Sequence, residues 1–259
     1  MNQNQAYIHP ESKIGTNVTI DHFASIHEDV VIGDGTWIGS NAVIMPGARI
    51  GKNCKIFPGA VISAEPQDLK YKGEKTTVEI GDNTSIREFV TIHKGTSDRQ
   101  KTVVGNNCLL MAYVHVAHDC IVGNNCILAN NVTLAGHVII DDFAILEGLV
   151  AVQQFARIGR HSFITGASLV RKNVPPYVKA AREPLSYAGV NSVGLYRRNF
   201  SKEDILKIED IYRILYVMNN NISKGTKVIE KETPNSSYKD EILNFIDSSE
   251  KGIIKGMID

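Results

Sequence analysis

Three histidines and one carboxylate stand where they could share one reaction. Residues 115–119 read His-Val-Ala-His-Asp, and a further histidine, His137, follows later in the chain. An imidazole titrates near neutral pH, so His118 could act as a general base, with the neighbouring Asp119 fixing its tautomer. Alternatively, His115, His118 and His137 could bind zinc, or all three could be ordinary polar surface residues. The spacing alone leaves these three interpretations open.

A later part of the chain is locally basic. No acidic residue occurs between Glu147 and Glu183, and the stretch contains six cations: Arg157, Arg160, Arg171, Lys172, Lys179 and Arg182. Because the whole chain has 28 basic and 28 acidic residues, this excess is a local patch. It suits an acidic partner, although a solvated basic rim would look the same. Aromatic residues are too sparse there to favour single-stranded nucleic acid, and no nucleic-acid partner is expected.

A six-residue repeat supplies the scaffold for these side chains. Isoleucine, leucine or valine occupies every sixth position in three blocks, from 8 to 62, from 80 to 92 and from 104 to 170. A helix repeats its apolar face every 3.6 residues and a strand every two, so a period of six fits neither alone. It predicts a coil of short strands joined by tight turns, with one aliphatic side chain of each strand pointing inward.

A second position of the repeat supports this register. The fourth residue after each aliphatic residue is usually small, and all four cysteines occupy this position: Cys54, Cys108, Cys120 and Cys126. Bulky side chains do not fit at the corners of a narrow coil. We therefore interpret the cysteines as buried structural residues rather than as metal ligands or disulfide partners.

Stacking follows from the same repeat if three strands complete one turn of the coil. Residues 18 apart then lie about 4.8 Å from each other on neighbouring strands. His118, Gly136 and Gln154 form one column, and Asp119 and His137 belong to the next. These columns lie in or near outward-facing turns, where a glycine beside His118 leaves its backbone N–H open to a ligand.

Two stretches interrupt the repeat, and a pair of prolines ends it. The aliphatic series lapses in residues 63–79 and 94–103, which are predicted to be loops that leave the coil and that are suited to carry function. Pro175-Pro176 is a plausible stop, because proline cannot donate to a sheet ladder.

The period changes again in the last part of the chain. Ser201 and Asp204 resemble a capping box with aspartate in place of glutamate, and a helical apolar face follows them. A second helix is predicted over 237–247. We therefore divide the chain into a β-helix domain, 1–178, and a C-terminal helical domain, 179–259.

Beyond the repeat, the chain contains an ordered set of motifs from about residue 6 onward. They are Pro66-Gln67-Asp68-Leu69-Lys70-Tyr71, Ile86-Arg87-Glu88 with Val90-Thr91-Ile92-His93, His115-Val116-Ala117-His118-Asp119-Cys120, Ala129-Asn130-Asn131, Leu134-Ala135-Gly136-His137, Val174-Pro175-Pro176-Tyr177, and Gly189-Val190-Asn191 with Gly194-Leu195 and Arg197-Arg198. Hexapeptides alone identify only a superfamily. The ordered set resembles the acyl-[acyl carrier protein]–UDP-N-acetylglucosamine O-acyltransferases of lipid A synthesis. The resemblance implies a left-handed parallel β-helix with a C-terminal α-helical region.

The resemblance also implies a reaction and roles for its residues. His118 would be the general base that deprotonates the glucosamine 3-hydroxyl of UDP-N-acetylglucosamine, which then attacks a 3-hydroxyacyl carrier protein thioester. Asp119 would support His118, and the Gly136 N–H would stabilise the oxyanion. The implied substrate-binding positions are Asp68, Lys70, His93, His115, His137, Gln154, Gly166, Asn191, Arg197 and Arg198. Gly166 matches a residue that can form the floor of the acyl groove.

Partners are implied in the same way. Acyl carrier protein, which is acidic, would dock on the side of Arg157, Arg160, Arg171 and Lys172, and the family forms homotrimers with sites between subunits. No metal and no organic cofactor is implied. The chain has no apolar stretch of about 20 residues and no signal peptide, so a transmembrane segment is not expected and the cytoplasm is the expected compartment.

Two departures from the family pattern concern the nucleotide. Gln153 stands where many members have histidine, and Val193 stands where many have glutamate. Both positions lie near the nucleotide in the family, and two acceptors fit the pattern: UDP-N-acetylglucosamine and its 3-amino analogue. The alternative functions are a zinc carbonic anhydrase-like protein and a non-catalytic β-helix scaffold. The long helical region and the loop at 67–70 argue against both.

Overall fold

Short strands in three sheets form most of the molecule. The computed structural model describes residues 5–219 and 221–256. In chain order the strands begin with β1 (Tyr7–Ile8), β2 (Lys13–Ile14), β3 (Thr19–Ile20), β4 (Ser25–Ile26), β5 (Val31–Ile32), β6 (Trp37–Ile38), β7 (Val43–Ile44), β8 (Ala48–Ile50) and β9 (Lys55–Ile56). They continue with β10 (Val61–Ala64), β11 (Thr77–Ile80), β12 (Ser85–Ile86), β13 (Thr91–His93), β14 (Lys101–Val104), β15 (Leu109–Leu110), β16 (His115–Val116), β17 (Ile121–Val122) and β18 (Ile127–Leu128). The last are β19 (Thr133–Leu134), β20 (Ile139–Ile140), β21 (Ile145–Leu146), β22 (Ala151–Val152), β23 (Arg157–Ile158), β24 (Phe163–Ile164), β25 (Leu169–Val170), β26 (Val178–Ala181) and β27 (Ser186–Val190).

Successive strands enter the three sheets in turn. The first sheet contains β1, β4, β7, β10, β13, β16, β19, β22 and β25, and the second contains β2, β5, β8, β11, β14, β17, β20 and β23. The third contains β3, β6, β9, β12, β15, β18, β21, β24, β26 and β27, of which the last two pair antiparallel. The sheets are the faces of a three-sided coil. We call the corner between the first and second sheets the first edge, that between the second and third sheets the second edge, and that between the third and first sheets the third edge.

The strand register agrees with the six-residue repeat and passes over both interruptions. Ile62 pairs with Ile92, and Ile80 pairs with Val104. Both pairs are farther apart in sequence than a pair of the regular turns, such as Val116 with Leu134, so the extra residues leave the coil without breaking the sheets. The irregular segments, 65–76 and 94–100, both leave the coil at the first edge, between a strand of the first sheet and one of the second.

The tight turns rely on a left-handed backbone at the third residue after the inward aliphatic. Asparagine is frequent there, as at Asn17, Asn53 and Asn125, because it tolerates a positive φ better than most residues. Asp119 and His137 occupy the same turn position, with φ values of 58° and 62°. The repeat therefore places both side chains at corners of the coil.

The interior of the coil is apolar and closely filled, as the sequence predicted. Ile38 is fully buried, and the stacked aliphatic residues above and below it form one continuous core. The four cysteines are buried and unpaired. Burial raises the pKa of the Cys120 thiol to about 12, so this thiol stays protonated and structural.

Within the described residues, the C-terminal part adds four helices: α1 (Ser192–Arg197), α2 (Lys202–Tyr216), α3 (Ile222–Glu232) and α4 (Ser237–Asp247). Ser201 caps α2 by accepting a hydrogen bond from the N–H of Asp204, and α4 has the predicted bounds. The short α1 and the helix α3 were not predicted. No helix within 5–219 or 221–256 combines the length and apolarity that crossing a bilayer requires.

The third sheet extends beyond residue 178. Strand β26 pairs in parallel with β24, and β27 adds to β26, so the sheet reaches Val190. Tyr177 and Tyr212 are fully buried where the helices pack on this end of the coil. The division into 1–178 and 179–259 stays a prediction. Helical packing at this end covers strands that would otherwise be open.

Candidate active site

The histidines lie in successive turns of the first edge. His118 and Asp119 follow β16, and Gly136 and His137 follow β19 one turn of the coil later. The stacking expected from the repeat is therefore present. The side chains are not in open solvent, however. His118 is only 7% exposed because the irregular segment 65–76 and its neighbour 94–100 cover this edge.

His118 and Asp119 form a hydrogen-bonded pair. The Nδ1 of His118 lies 2.8 Å from Oδ2 of Asp119. Asp119 is fully buried and accepts the Thr96 hydroxyl at 2.6 Å, together with the backbone N–H groups of Thr96 and Arg99 at 3.0 and 3.2 Å. Burial raises the pKa of Asp119, but these hydrogen bonds and the one from His118 outweigh burial and hold the pKa below its ordinary value. Asp119 is thus an ionised acceptor that fixes the orientation of His118.

Gly136 lies against the ring of His118. A Cβ atom added to Gly136 would lie 2.6 Å from both Cε1 and Nε2 of that ring. Within the described parts of the chain no acceptor bonds the Gly136 N–H, although the neighbouring His137 N–H donates to the His118 carbonyl at 3.1 Å. A backbone N–H without an internal acceptor, on a residue that contacts the His118 ring, is available to an oxyanion.

His137 stands perpendicular to His118. The two ring centroids are 5.1 Å apart at 89°, and the other face of His137 stacks on Phe155 at 4.6 Å. Its Nε2 lies 3.7 Å from Oδ2 of Asp119, and its Nδ1 lies 3.1 Å from Oδ2 of Asp98. Burial lowers the pKa of His137, although the Asp119 carboxylate acts in the opposite direction.

Two further histidines line the first sheet beside this pair. His93 and His115 are 5.0 Å apart between ring centroids, and the Thr91 hydroxyl lies 2.7 Å from Nδ1 of His115. Burial, reinforced by the neighbouring His115, lowers the pKa of His93 to about 4, and burial also lowers the pKa of His115. Both rings are therefore neutral near pH 7 and offer hydrogen bonds rather than charge.

The segment 65–76 brings the predicted residues Asp68 and Lys70 to the same edge. Oδ2 of Asp68 lies 4.0 Å from Nε2 of His118, while Oδ1 accepts the N–H of Lys70 at 2.9 Å. The Lys70 side chain is exposed. Gln154 lies one turn of the coil beyond Gly136, and its side chain is exposed. Its backbone carbonyl accepts a hydrogen bond from the Lys251 ammonium group. Lys251, on the C-terminal segment, therefore also reaches this edge.

The remaining predicted binding residues lie elsewhere on the chain. A cleft of about 390 Å³ on the third sheet is lined by Asn191, Arg197 and Arg198. Val193, which departs from the family pattern, also lines it. Asn191 donates to the His161 carbonyl at 2.9 Å. Burial lowers the pKa of Arg198, whose Nη1 lacks a hydrogen-bond partner within the described residues. The lining contains no acidic residue, so the cleft is suited to an anion.

Gly166 lies neither beside the histidines of the first edge nor in the cleft of the third sheet. It is exposed at the third edge, where its N–H donates to the Glu147 carboxylate at 2.9 Å. The single chain thus assembles one histidine centre at the first edge and one cationic cleft on the third sheet, with Gly166 at the third edge.

The basic stretch is less basic in space than along the sequence. Arg157 pairs with Asp141 at 2.9 Å, Arg160 approaches Glu241 at 3.7 Å, and Arg171 pairs with Glu183 at 2.5 Å. Acidic residues from outside the stretch therefore neutralise much of it. Lys172 is exposed and has no ion pair among the residues that the structure describes.

The three-histidine zinc set is not what the fold assembles. Among residues 5–219 and 221–256, the one group of histidine, cysteine and carboxylate side chains close enough to share an ion is His118, Asp119 and His137. His115 is not part of it and lies beside His93 and Thr91 instead. Asp119 is already held by Thr96 and His118.

Sequence reasoning missed the residues that hold the site from outside. Thr96, Asp98 and Arg99 come from the irregular segment 94–100, and the Thr102 hydroxyl accepts the Asp119 N–H at 2.9 Å. One signal was available. In both interruptions the aliphatic series lapses at the first edge, and this is the edge that carries His118.

Comparisons with known proteins agree with this geometry. The family "Udp N-acetylglucosamine O-acyltransferase; Domain 2" matches residues 173–254, and "Bacterial transferase hexapeptide (six repeats)" matches residues 29–64 and 101–136. Over 195 residues the chain is 44% identical to the acyl-[acyl-carrier-protein]–UDP-N-acetylglucosamine O-acyltransferase of Myxococcus xanthus, covering 75% of this chain and 76% of that protein.

Solved structures extend the similarity over nearly the whole chain. A UDP-N-acetylglucosamine acyltransferase from Bacteroides fragilis has a TM-score of 0.96 and 51% identity, covering 98% of this chain and 100% of that one. The enzyme of Francisella novicida has a TM-score of 0.94 and 40% identity, covering 98% and 93%. The left-handed parallel β-helix is confirmed, and acyl transfer is favoured over the carbonic anhydrase alternative. The chain belongs to the acyl-[acyl carrier protein]–UDP-N-acetylglucosamine O-acyltransferase family.

Proposed function

We propose that this chain transfers a 3-hydroxyacyl group from acyl carrier protein to the glucosamine 3-hydroxyl of UDP-N-acetylglucosamine, the first step of lipid A synthesis. The names of its relatives contain this donor and this acceptor. One observation carries the assignment of residues: the His118–Asp119 pair lies against Gly136, whose N–H is free. The base and a backbone donor without an internal acceptor thus belong to two residues in contact.

The mechanism follows from these positions. Nε2 of His118 takes the proton of the sugar hydroxyl, and the oxygen attacks the thioester carbonyl. The carbonyl oxygen becomes an oxyanion that the Gly136 N–H stabilises. When the C–S bond breaks, the protonated His118 returns its proton to the departing thiolate. The ionised Asp119 keeps Nδ1 protonated and stabilises the transient imidazolium.

The other residues divide into two binding groups. Around the first edge we assign sugar and donor contacts to Asp68, Lys70, His93, His115, His137 and Gln154. In the cleft of the third sheet we assign the diphosphate to Asn191, Arg197 and Arg198, because planar guanidinium groups bind phosphate oxygens in pairs. Gly166 forms the floor of the acyl groove. No metal or organic cofactor takes part in these steps.

We propose that the enzyme is a homotrimer with its sites between subunits. The histidine centre and the cationic cleft lie on different faces of one chain, so a second copy that supplies the cleft would complete the site. The third edge supports this proposal, because Phe23, Phe89, Tyr113 and Leu149 are each more than half exposed along it. Mixing His118→Ala and Arg198→Ala chains should restore part of the activity that each lacks alone. No restored activity would contradict a shared site.

The acidic carrier protein is assigned to the Arg157, Arg160, Arg171 and Lys172 side. Within it, Arg171 and Lys172 are the better candidates, because both are exposed whereas Arg157 and Arg160 are half-buried. Of these two, Lys172 has no ion pair among the described residues, while Arg171 pairs with Glu183. We place the reaction in the cytoplasm, where acyl carrier protein and nucleotide sugars are made.

Replacement of His118 by alanine tests the assignment directly. If His118 is the base, kcat should fall about 10²–10⁴-fold, with little change in the Kd for UDP-N-acetylglucosamine. Acyl transfer from a panel of 3-hydroxyacyl carrier proteins to the sugar and to its 3-amino analogue measures both activity and acceptor choice. A zinc enzyme would contain metal that the variant loses. A variant that keeps more than about a tenth of wild-type kcat would exclude His118 as the base.

A further inference from the structure

The imidazole of His137 has one carboxylate near each nitrogen. Nδ1 lies 3.1 Å from Oδ2 of Asp98, and Nε2 lies 3.7 Å from Oδ2 of Asp119. A neutral imidazole has a hydrogen on only one of these nitrogens, so the two carboxylates compete to decide which one. The choice determines whether the nitrogen that faces His118 and Asp119 donates or accepts a hydrogen bond.

Asp119 competes less strongly than Asp98 for the hydrogen of His137. Its Oδ2 already accepts the Thr96 hydroxyl at 2.6 Å and faces Nδ1 of His118 at 2.8 Å. Oδ2 of Asp98 is closer to His137 and has no other hydrogen-bond partner among the described residues. Nδ1 is buried and unpaired in this geometry, because the Asp98 carboxylate lies within reach but out of line. The Asp98 side chain is 66% exposed, so a small rotation can align it.

We propose that Asp98 is a positioning residue that keeps the hydrogen of His137 on Nδ1, so that Nε2 accepts a hydrogen bond from a hydroxyl group of the acceptor sugar. This proposal rests on the proposed acyl transfer. Hydrogen bonds in catalytic sites are often long or poorly aligned before the substrate binds and tighten in its presence. A sugar hydroxyl beside the reactive face of His118 would then donate its single hydrogen to Nε2 of His137.

Two replacements of Asp98 separate a tautomer effect from a loss of structure. In Asp98→Asn the side-chain amide can donate a hydrogen bond to Nδ1 of His137. The hydrogen of His137 then moves to Nε2, which donates to the Asp119 carboxylate. In Asp98→Ala only the weaker competitor, Asp119, remains, so the preference for a hydrogen on Nδ1 is lost but not fully reversed. Ser97→Ala is the matched control on the same segment, because the Ser97 side chain makes no hydrogen bond among the described residues and only its carbonyl is used, by Gln100.

The direct measurement is the ¹⁵N spectrum of histidine-labelled protein, with the His137 signals identified by their loss in His137→Gln. We expect the Nδ1-protonated pattern in the wild type and in Ser97→Ala, and the reversed pattern in Asp98→Asn. The KM for UDP-N-acetylglucosamine should rise about fivefold to tenfold in Asp98→Asn and less in Asp98→Ala, because one net hydrogen bond is at stake. The KM for the acyl carrier protein should not change.

Two results would overturn this role. One is an identical His137 tautomer in the wild type and in Asp98→Asn, and the other is a KM for the sugar in Asp98→Asn equal to that of Ser97→Ala. A wild-type protein without acyl transfer to any sugar acceptor would instead contradict the proposed function. The tautomer measurement does not depend on activity, so the two failures are distinguishable.

Discussion

Replacing Gly136 by alanine should disable the enzyme through the position of His118. The added Cβ would lie 2.6 Å from Cε1 and Nε2 of the His118 ring. Because non-bonded carbon atoms favour separations of about 3.5–4.0 Å, the ring must retreat by roughly 1 Å. Asp119 holds Nδ1 at 2.8 Å and is itself fully buried, so the ring cannot move without lengthening that hydrogen bond. Gly136 is outside the left-handed region, so the backbone accepts alanine.

The magnitude follows from the displacement. A misplacement of about 1 Å in a reacting group can cost about 10²-fold in rate, so kcat should fall by about that factor. The KM for UDP-N-acetylglucosamine should change much less, because the base acts mainly in the transition state. Initial rates with a 3-hydroxyacyl carrier protein measure both constants, and thermal melting checks that the coil is intact.

Gly148→Ala is the matched control. Gly148 occupies the equivalent turn position after Leu146, and among the residues that the structure describes its added Cβ would meet only the Asn130 carbonyl, at 3.3 Å. It should therefore retain near wild-type kcat. The reasoning is refuted if Gly136→Ala keeps kcat within threefold of the wild type, or if both alanine variants lose activity equally.

Four further expectations concern the core, the carrier face, the acyl groove and acid stability. Ile38→Asp places a charge in the fully buried core and should cost about 3–5 kcal/mol, and a variant that melts within two degrees of the wild type would contradict the register. Reversing Arg171 and Lys172 to glutamate should raise the KM for acyl carrier protein and flatten its salt dependence, whereas an equal shift in the KM for the sugar would remove this face from consideration. Gly166→Met should shift preference to shorter acyl chains, and unchanged selectivity would place the length determinant elsewhere. Burial lowers the pKa of His161 from 6.5 to about 3, so between these values the unfolded chain binds more protons and stability falls as pH drops; His161→Phe should make the melting temperature less dependent on pH in this range, and an unchanged dependence would refute the cause.

The sequence was sufficient to predict the coil because the six-residue period alone determines most of its geometry. A strict period fixes which side chain of each strand points inward, and every third strand then stacks once three strands make a turn. This placed Gly136 beside His118, and His137 beside Asp119, as the structure has them. The handedness has no signature in the period and came only from the resemblance.

Other features could not be read from a periodic pattern. Charge summed along the chain predicted a strongly basic patch, but Arg157 and Arg160 meet Asp141 and Glu241, which lie outside the counted stretch. The turn containing His118 was expected to face outward, yet this histidine is buried. Both discrepancies have the same physical origin, because they depend on segments whose contacts are long-range and have no repeat.

The departures from the repeat explain how a regular coil acquires a reactive centre. A bare turn would leave an imidazole and a carboxylate in water, where solvent competes for their hydrogen bonds and screens their interaction. Both insertions leave the coil at the first edge, in the two turns of the coil that precede His118. They cover that edge and supply Asp68, Thr96 and Arg99 to it. The repeat therefore sets the positions of the reactive side chains, while the insertions exclude water from them and keep Asp119 ionised, so neither feature alone would produce the site.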